Sequence, residues 1–189
     1  ALAEALRRDR ERAIRLALTD DLTGLPNRRG GRWFLDKEFA AAERGRPVAV
    51  VLFDLDQFKR YNDRHGHPAG DAALRAVARV LERSTRRMDL AARHGGEEFL
   101  CVLSSASVED ALMLVGRVRE ALRRADVPCE PVTVSAGVAA CAPGMASPDD
   151  LLAAADRALY QAKRSGGDCV RVATADSVAE PAAAPLRHL

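Results

Sequence analysis

The chain has 189 residues, 48% of them hydrophobic and 30% charged, with a formal net charge of +2. That length holds one domain with appendages and a core of its own, while so small a net charge argues against a nucleic-acid binder held by bulk electrostatics. No apolar run nears the length of a membrane span, no signal peptide opens the chain, and Cys101, Cys129, Cys141 and Cys169 lie far apart without metal-ligand spacing, as reduced thiols of a cytoplasmic protein would.

Residues 1–18 are rich in Ala, Leu, Arg and Glu and free of Gly and Pro, which predicts a helix. Leu2, Leu6, Ala13 and Leu16 trace a partial seam that Asp9 interrupts, so a coiled coil and a helix that merely caps the domain both stay open. The chain begins on Ala1 rather than Met, and we expect it to be a piece of something longer. Gly24 and Pro26 break the pattern and predict a loop over 19–28. A second helix follows over 29–44, with Trp33, Phe34, Phe39 and Ala40 expected to face inward.

Residues 47–53 form a short apolar run bounded by Pro and Asp, the pattern of a buried central strand. The run ends in Phe53-Asp54-Leu55-Asp56. Carboxylates two apart on a strand share one face, so Asp54 and Asp56 can reach the same site at the strand's end. Acids just past a buried strand cost stability unless a cation or hydrogen-bond donors satisfy them. A hard divalent cation such as Mg²⁺ suits oxygen ligands of this kind; a solvated acidic terminus is the alternative.

Residues 58–64 predict a short helix and 65–70 a loop, after which Asp71 is expected to N-cap a helix over 72–84. Leu74, Val77, Val80 and Leu81 mark its core face. Strands are expected over 90–93 and 99–103, then a helix over 108–124 with Leu112, Val115, Val118 and Leu122 inward. A strand over 132–138, a helix over 147–164 opened by Ser147-Pro148-Asp149-Asp150, and a last strand over 169–172 complete the series. From residue 173 the chain is rich in Ala and Pro without periodicity, and disorder is expected there. The order of elements predicts an α+β domain, with helices on an antiparallel or mixed sheet.

The two strands around Arg93-His94-Gly95-Gly96-Glu97-Glu98-Phe99 make this stretch a hairpin. Its glycine pair signals a tight turn, since glycine enters positive φ without steric cost. Bare backbone at Gly95 and Gly96 also lets a bulky ligand approach closely. On a strand Glu97 and Glu98 point to opposite faces, so one can meet a metal or substrate while the other does separate work. A solvated, charged turn is the alternative reading.

Taken together the motifs resemble the GGDEF family, the diguanylate cyclases, from residue 19 to 172, with 1–18 as a signalling helix and 173–189 as a tail outside it. The signature stands as Gly95-Gly96-Glu97-Glu98-Phe99. Around it are Asp21-Leu22-Thr23-Gly24-Leu25-Pro26-Asn27-Arg28, Phe53-Asp54-Leu55-Asp56-Gln57-Phe58-Lys59, Asn62-Asp63 and Gly66-His67-Pro68-Ala69-Gly70-Asp71. Ser135-Ala136-Gly137 and Ala154-Ala155-Asp156-Arg157-Ala158-Leu159-Tyr160-Gln161-Ala162-Lys163 follow in order. The resemblance implies a palm-like fold related to nucleotidyl cyclases. It also implies condensation of two GTP molecules to cyclic di-GMP, with release of two pyrophosphates. Attack of a ribose 3′-hydroxyl on an α-phosphate gathers negative charge, which divalent cations offset.

By the family pattern Asp54, the Leu55 carbonyl and Glu97 hold Mg²⁺, with Mn²⁺ as an alternative. Glu97 or Glu98 helps deprotonate the attacking hydroxyl, and the two roles are not separable from sequence. Gly95 and Gly96 leave room for the α-phosphate and ribose. Asn62 and Asp71 match the guanine-reading positions; Asp71 can also cap its helix. Phe58, Lys59 and His67 match positions lining the triphosphate and base pocket, with Lys59 and Lys163 supplying positive charge; His67 has a structural loop histidine as its alternative.

The family usually carries Gly-Arg-Asn after its last helix, where this chain has Gly166-Gly167-Asp168. The arginine expected to grip the γ-phosphate is missing at Gly167, Asp168 brings the opposite charge, and Arg164 is the nearest substitute. Arg86-Arg87-Met88-Asp89 matches the family's inhibitory Arg-x-x-Asp site, in which Arg86 and Asp89 bind product. Arg117 falls where the family places a secondary arginine from a neighbouring domain; a surface ion pair is the alternative. The resemblance implies a homodimer, one GTP per domain, driven by an upstream sensor domain through the N-terminal helix. A non-catalytic module that senses GTP or cyclic di-GMP is the second reading, and an interaction domain with a vestigial pocket the third.

Overall fold

The apolar run after Pro47 becomes the middle strand of a five-stranded sheet. The computed structural model describes Glu4 and residues 17–174. In chain order the elements are α1 (Arg28–Ala42), β1 (Val48–Leu55), α2 (Phe58–His65), α3 (His67–Ser84), β2 (Leu90–Arg93) and β3 (Glu98–Ser104). They continue with α4 (Val108–Arg123), β4 (Val134–Ala140), α5 (Pro148–Arg164) and β5 (Val170–Val172). The sheet order is β2-β3-β1-β4-β5; β4 and β5 run parallel and every other pair antiparallel. The sheet is therefore mixed, and the expected α+β class holds.

Strand parity divides the core. Ala49, Val51, Phe53 and Leu55 of β1 pack with Leu74, Val77 and Leu81 of α3 and Leu114, Val115 and Val118 of α4. Val48, Val50 and Leu52 pack on the other face with Leu35 and Phe39 of α1 and Leu151, Ala155 and Leu159 of α5. Helices cover both faces, which is why β1 is apolar along its length instead of alternating. Asp54 continues the Val48–Val50–Leu52 parity, so its side chain emerges on the face that α5 covers. There α5 lies against bare backbone: a Cβ on Gly137 would sit 2.1 Å from the Ala155 carbonyl oxygen.

Several expectations are corrected. Trp33 is 64% exposed, whereas Phe39 is buried as expected, together with Leu35 and Glu38. The rotation of α1 is set at Gly31, whose missing Cβ would meet Ala92 Cβ at 3.0 Å, and this close approach turns Trp33 outward. Phe34 is half-buried and packs against the core as expected, and Ala40 is half-buried. Residues 65–70 are not a loop, because α3 starts at His67 behind Gly66. Pro68 in its first turn has no N–H to leave unsatisfied and a φ preset for helix. Asp71 consequently lies inside the helix, exposed, and caps nothing. Val80 and Leu112 are half-buried and pack against the core on the expected face. β4 runs from Val134 to Ala140 because it pairs with β1 from Leu55 back to Ala49.

The glycine pair does not serve positive φ either: the left-handed glycines are Gly24, Gly45, Gly66, Gly144, Gly166 and Gly167. The turn closes through the His94 and Gly95 amides, which donate to the Glu98 carbonyl at 2.8 and 3.2 Å.

All four cysteines are free. Among the described residues no helix is long and apolar enough to cross a membrane. The seam of Leu2, Leu6, Ala13 and Leu16 and residues 175–189 of the expected tail lie outside the described residues. Ala173 continues the sheet contacts, its amide donating to the Val138 carbonyl at 2.8 Å.

Candidate active site

The acidic end of β1 meets the last turn of α5. Lys163 Nζ lies 2.5 Å from Asp54 Oδ1 and donates to the Leu55 carbonyl and to Asp56 Oδ1, each at 3.1 Å. Asp56 accepts further bonds from Thr133 Oγ1 (2.7 Å), Ser135 Oγ (2.6 Å) and the Asp168 amide (2.8 Å). Burial alone would raise its carboxyl, but these donors and Lys163 outweigh burial and hold it below the usual carboxylate range. Asp54 goes the other way: burial pushes its carboxyl up, Lys163 pulls it back in part, and the Glu97 and Asp56 charges push again. One end of one strand therefore gathers more negative charge than it can keep without a cation.

The hairpin delivers Glu97 to this place. Asp54 is paired with Glu98 across β1 and β3, and the Leu55 amide donates to the Glu97 carbonyl at 3.3 Å. The side chain of Glu98 folds back over the turn: a Cβ on Gly95 would lie 2.6 Å from Glu98 Oε2. Gly96 has open space where a Cβ would stand, with no described atom within 4 Å. Gly95 is thus required by its neighbour, whereas Gly96 presents bare backbone to the outside.

Arg93, which sequence reading left without a role, holds the turn's shape. Its guanidinium donates to the Gly95 carbonyl at 3.2 Å and to the Gly96 carbonyl at 2.7 and 3.1 Å. Its other arm donates to both oxygens of Asp20 at 3.1 Å. Asp20 itself accepts from the Thr23 amide and hydroxyl at 2.9 and 2.7 Å, and the Arg93 amide donates to the Pro26 carbonyl. The loop over 19–28 is therefore a bracket for the acidic turn. The available signal was the loop's Asp and Thr, three residues apart with a Gly beside them, which is an Asx-turn pattern.

The α2–α3 corner carries the expected base-reading residues. Gly70 of α3 approaches α2 so closely that a Cβ there would fall 1.8 Å from Asn62 Oδ1. Asn62 Oδ1 is buried and has no hydrogen-bond partner among the described residues, a costly state that a ligand donor relieves. Asp71 and His67, both exposed, stand on the first turns of α3, and Lys59 is exposed on the first turn of α2. Phe58 is buried in the core beneath this corner, stacked with Tyr61 at 6.5 Å between ring centres.

The loop after α5 differs from its expectation in charge. Asp168 is held by Arg119 of α4, which donates to its carboxylate at 2.8 and 3.2 Å and to its carbonyl at 2.6 Å. Its opposite charge is thereby compensated. Gly167 sits at φ +80°, and a Cβ there would meet Asp56 Oδ1 at 2.8 Å. Arg164 lies over the Tyr160 ring at 5.9 Å.

Arg86 and Asp89 share the turn before β2 without pairing their side chains. Asp89 accepts from the Arg86 amide at 3.2 Å and the Ser104 amide at 3.1 Å, while the Arg86 guanidinium donates to Asp110 at 3.3 Å. Arg117 donates to the Ser84 carbonyl at 3.2 Å. All of these lie at the α3–α4 edge of the domain.

Among the described residues no three His, Cys, Asp or Glu side chains gather to hold a metal unaided. Asp54, Glu97 and the Leu55 carbonyl are an oxygen set of the kind a hard cation takes when phosphates complete its shell.

A mixed sheet covered by helices, with an acidic hairpin turned onto the end of its central strand, defines a palm-like α+β domain. Residues 17–169 match the family profile described as "Diguanylate cyclase, GGDEF domain", and the chain belongs to the GGDEF family. It is 39% identical to the response regulator PleD of Caulobacter vibrioides over 172 residues, 87% of this chain and 38% of that protein. It is 41% identical to diguanylate cyclase DgcP of Pseudomonas aeruginosa over 162 residues, 83% of this chain and 24% of that protein. The chain thus spans well under half the length of these relatives. The coiled coil and GGDEF domain of DgcB from Caulobacter crescentus, solved with c-di-GMP, has a TM-score of 0.83 at 34% identity, covering 90% of this chain and 93% of that one. The active GGEEF domain of a Vibrio cholerae diguanylate cyclase has a TM-score of 0.76 at 31% identity, covering 79% and 98%.

Proposed function

We propose that this chain is a diguanylate cyclase, condensing two GTP molecules into cyclic di-GMP. The observation that carries it is the convergence of Asp54, the Leu55 carbonyl and the Glu97 turn on one strand end, beside the open backbone of Gly96. In each of two steps a ribose 3′-oxygen bonds to the α-phosphorus of the other nucleotide. The bond from that phosphorus to the pyrophosphate oxygen breaks, and the hydroxyl proton passes to Glu97 or Glu98. Asp54, Leu55 and Glu97 are the ligands for Mg²⁺ or Mn²⁺, which when bound offsets charge on the phosphates. Gly96 admits the α-phosphate and ribose next to Gly95, and Lys163 and Lys59 supply cationic contacts to the triphosphate.

Asn62 and Asp71 read guanine: the carboxylate accepts from N1–H and N2–H₂, and the buried amide of Asn62 gains the partner it lacks. His67 stands at the entrance to the same corner, and Phe58 supports it from beneath. Because each domain carries one GTP, catalysis takes a homodimer, and the N-terminal helix transmits the state of an upstream sensor domain. Product binds at Arg86 and Asp89, with Arg117 contributing, and restrains turnover. In support, DgcB of Caulobacter crescentus was solved in complex with c-di-GMP.

The test is incubation with GTP and Mg²⁺ after bound product has been stripped. Cyclic di-GMP accumulates, and Arg86→Ala extends the reaction past the point where wild type slows. Absence of any cyclic dinucleotide would count decisively against catalysis. A non-catalytic sensor is the second reading, favoured by Gly167 in place of the family's arginine; calorimetric binding of GTP or cyclic di-GMP without turnover would select it.

A further inference from the structure

Lys163 is matched by the family pattern to phosphate binding, yet its ammonium is fully engaged elsewhere. An ammonium has three N–H donors. They are directed at Asp54 Oδ1 (2.5 Å), the Leu55 carbonyl (3.1 Å) and Asp56 Oδ1 (3.1 Å). Two of those oxygens are ones the proposed function assigns to the divalent cation. We propose that Lys163 is an internal counter-cation of the metal site, which a divalent ion must displace, and that nucleotide phosphates receive it, so that metal and nucleotide bind cooperatively. The inference rests on the metal assignment made under the proposed function.

The surroundings favour exchange of the ammonium over rearrangement of the acids. Asp54 is fixed within β1, and Asp56 is held by Thr133, Ser135 and the Asp168 amide, so neither carboxylate follows a departing cation. Asp56 is thereby a positioning residue: it anchors Lys163 without belonging to the metal set. The Lys163 side chain is 29% exposed on the last turn of α5, and its flexible four-carbon stem can swing while the acids stay in place. A divalent ion and an ammonium sharing Asp54 Oδ1 would stand a few ångströms apart as like charges. Binding of metal alone therefore carries the cost of dislodging Lys163 into solvent. A bound triphosphate removes that cost by offering the ammonium a new anion. By linkage the metal strengthens nucleotide binding by the same factor.

The test measures Mn²⁺ affinity by electron paramagnetic resonance. The full chain is titrated without and with a GTP analogue carrying a methylene bridge between the α- and β-phosphorus. Wild type, Lys163→Gln and Lys163→Arg are compared, and neutral, similarly sized Lys163→Met repeats the measurement should the Gln variant fold poorly. Lys163→Gln is expected to bind Mn²⁺ alone roughly tenfold more tightly than wild type, and the tightening produced by the analogue falls by a similar factor. Lys163→Arg, which keeps the charge, is expected to behave as wild type. Unchanged or weaker Mn²⁺ binding by the neutral variants, or equal behaviour of Gln and Arg, would overturn the counter-cation role while leaving the metal site standing. Failure of wild type to bind Mn²⁺ even with the analogue would sink the metal assignment itself, and this inference with it.

Discussion

Removing the Arg93 side chain tests whether the bracket behind the acidic turn matters. Its guanidinium joins two glycine carbonyls of the turn to both oxygens of Asp20, and the two side chains are only 17% and 21% exposed. A hydrogen bond to a charged group contributes about 1.5–3 kcal/mol. The contacts share donors and are partly wetted, so Arg93→Ala is expected to cost about 2–3 kcal/mol in all. At roughly 2–4 °C per kcal/mol for a domain this size, the melting temperature falls by roughly 5–10 °C.

The fall in turnover should exceed what unfolding explains. A displacement of catalytic groups by about 1 Å can cost on the order of a hundredfold in rate. Thermal melts followed by tryptophan fluorescence, with GTP turnover measured well below the transition, separate the two effects. The pH dependence supplies a second check. Burial by itself would raise the Asp20 carboxyl, but Thr23 and Arg93 outweigh it and hold the group below the usual carboxylate range. The folded pKa lies below the unfolded one, so this contribution is complete above about pH 4 and is lost as pH falls through the folded value. The Arg93→Ala penalty must therefore shrink on acidification. A melting point within about 1 °C of wild type at neutral pH would refute the reasoning.

The two glycines of the signature should separate on substitution. Gly95→Ala drives the new methyl into the Glu98 carboxylate and is expected to cut turnover with little loss of stability. Gly96→Ala meets open space in the free protein and is expected to melt like wild type while weakening GTP affinity in calorimetry. Gly137→Ala forces a methyl onto the backbone of α5, at 2.1 Å from the Ala155 carbonyl, and is expected to cost at least about 3 kcal/mol in urea unfolding. Glu98→Ala is expected to abolish turnover with the fold intact, read by activity beside circular dichroism; retained activity would reassign the proton to Glu97.

Much of the domain was legible because its signals are local. The unbroken apolar run of β1 announced a strand covered on both faces, and the Ser147 cap marked the start of α5 within a residue. Asp54 and Asp56 were expected on one face, and a single lysine touches both. Trp33 failed because its outward turn is decided by the contact of Gly31 with Ala92, a residue of β2. The start of α3 was misread because Gly66-His67-Pro68 carries both loop and helix-initiation signals, and its packing against α2 at Gly70 selects the helix.

Chain order by itself determined which residues form strands and helices, which way alternate side chains point, and where acids and bare glycines stand along the backbone. Those properties depend on near neighbours and follow from periods of two and 3.6 residues. Only the tertiary structure decided that Lys163 engages Asp56 across a separation of 107 residues and that Arg93 engages Asp20 across 73. Such pairings have no local signature. They arise because packing α5 and the loop over 19–28 against the sheet brings opposite charges together in partly buried ground, where neither is stable alone.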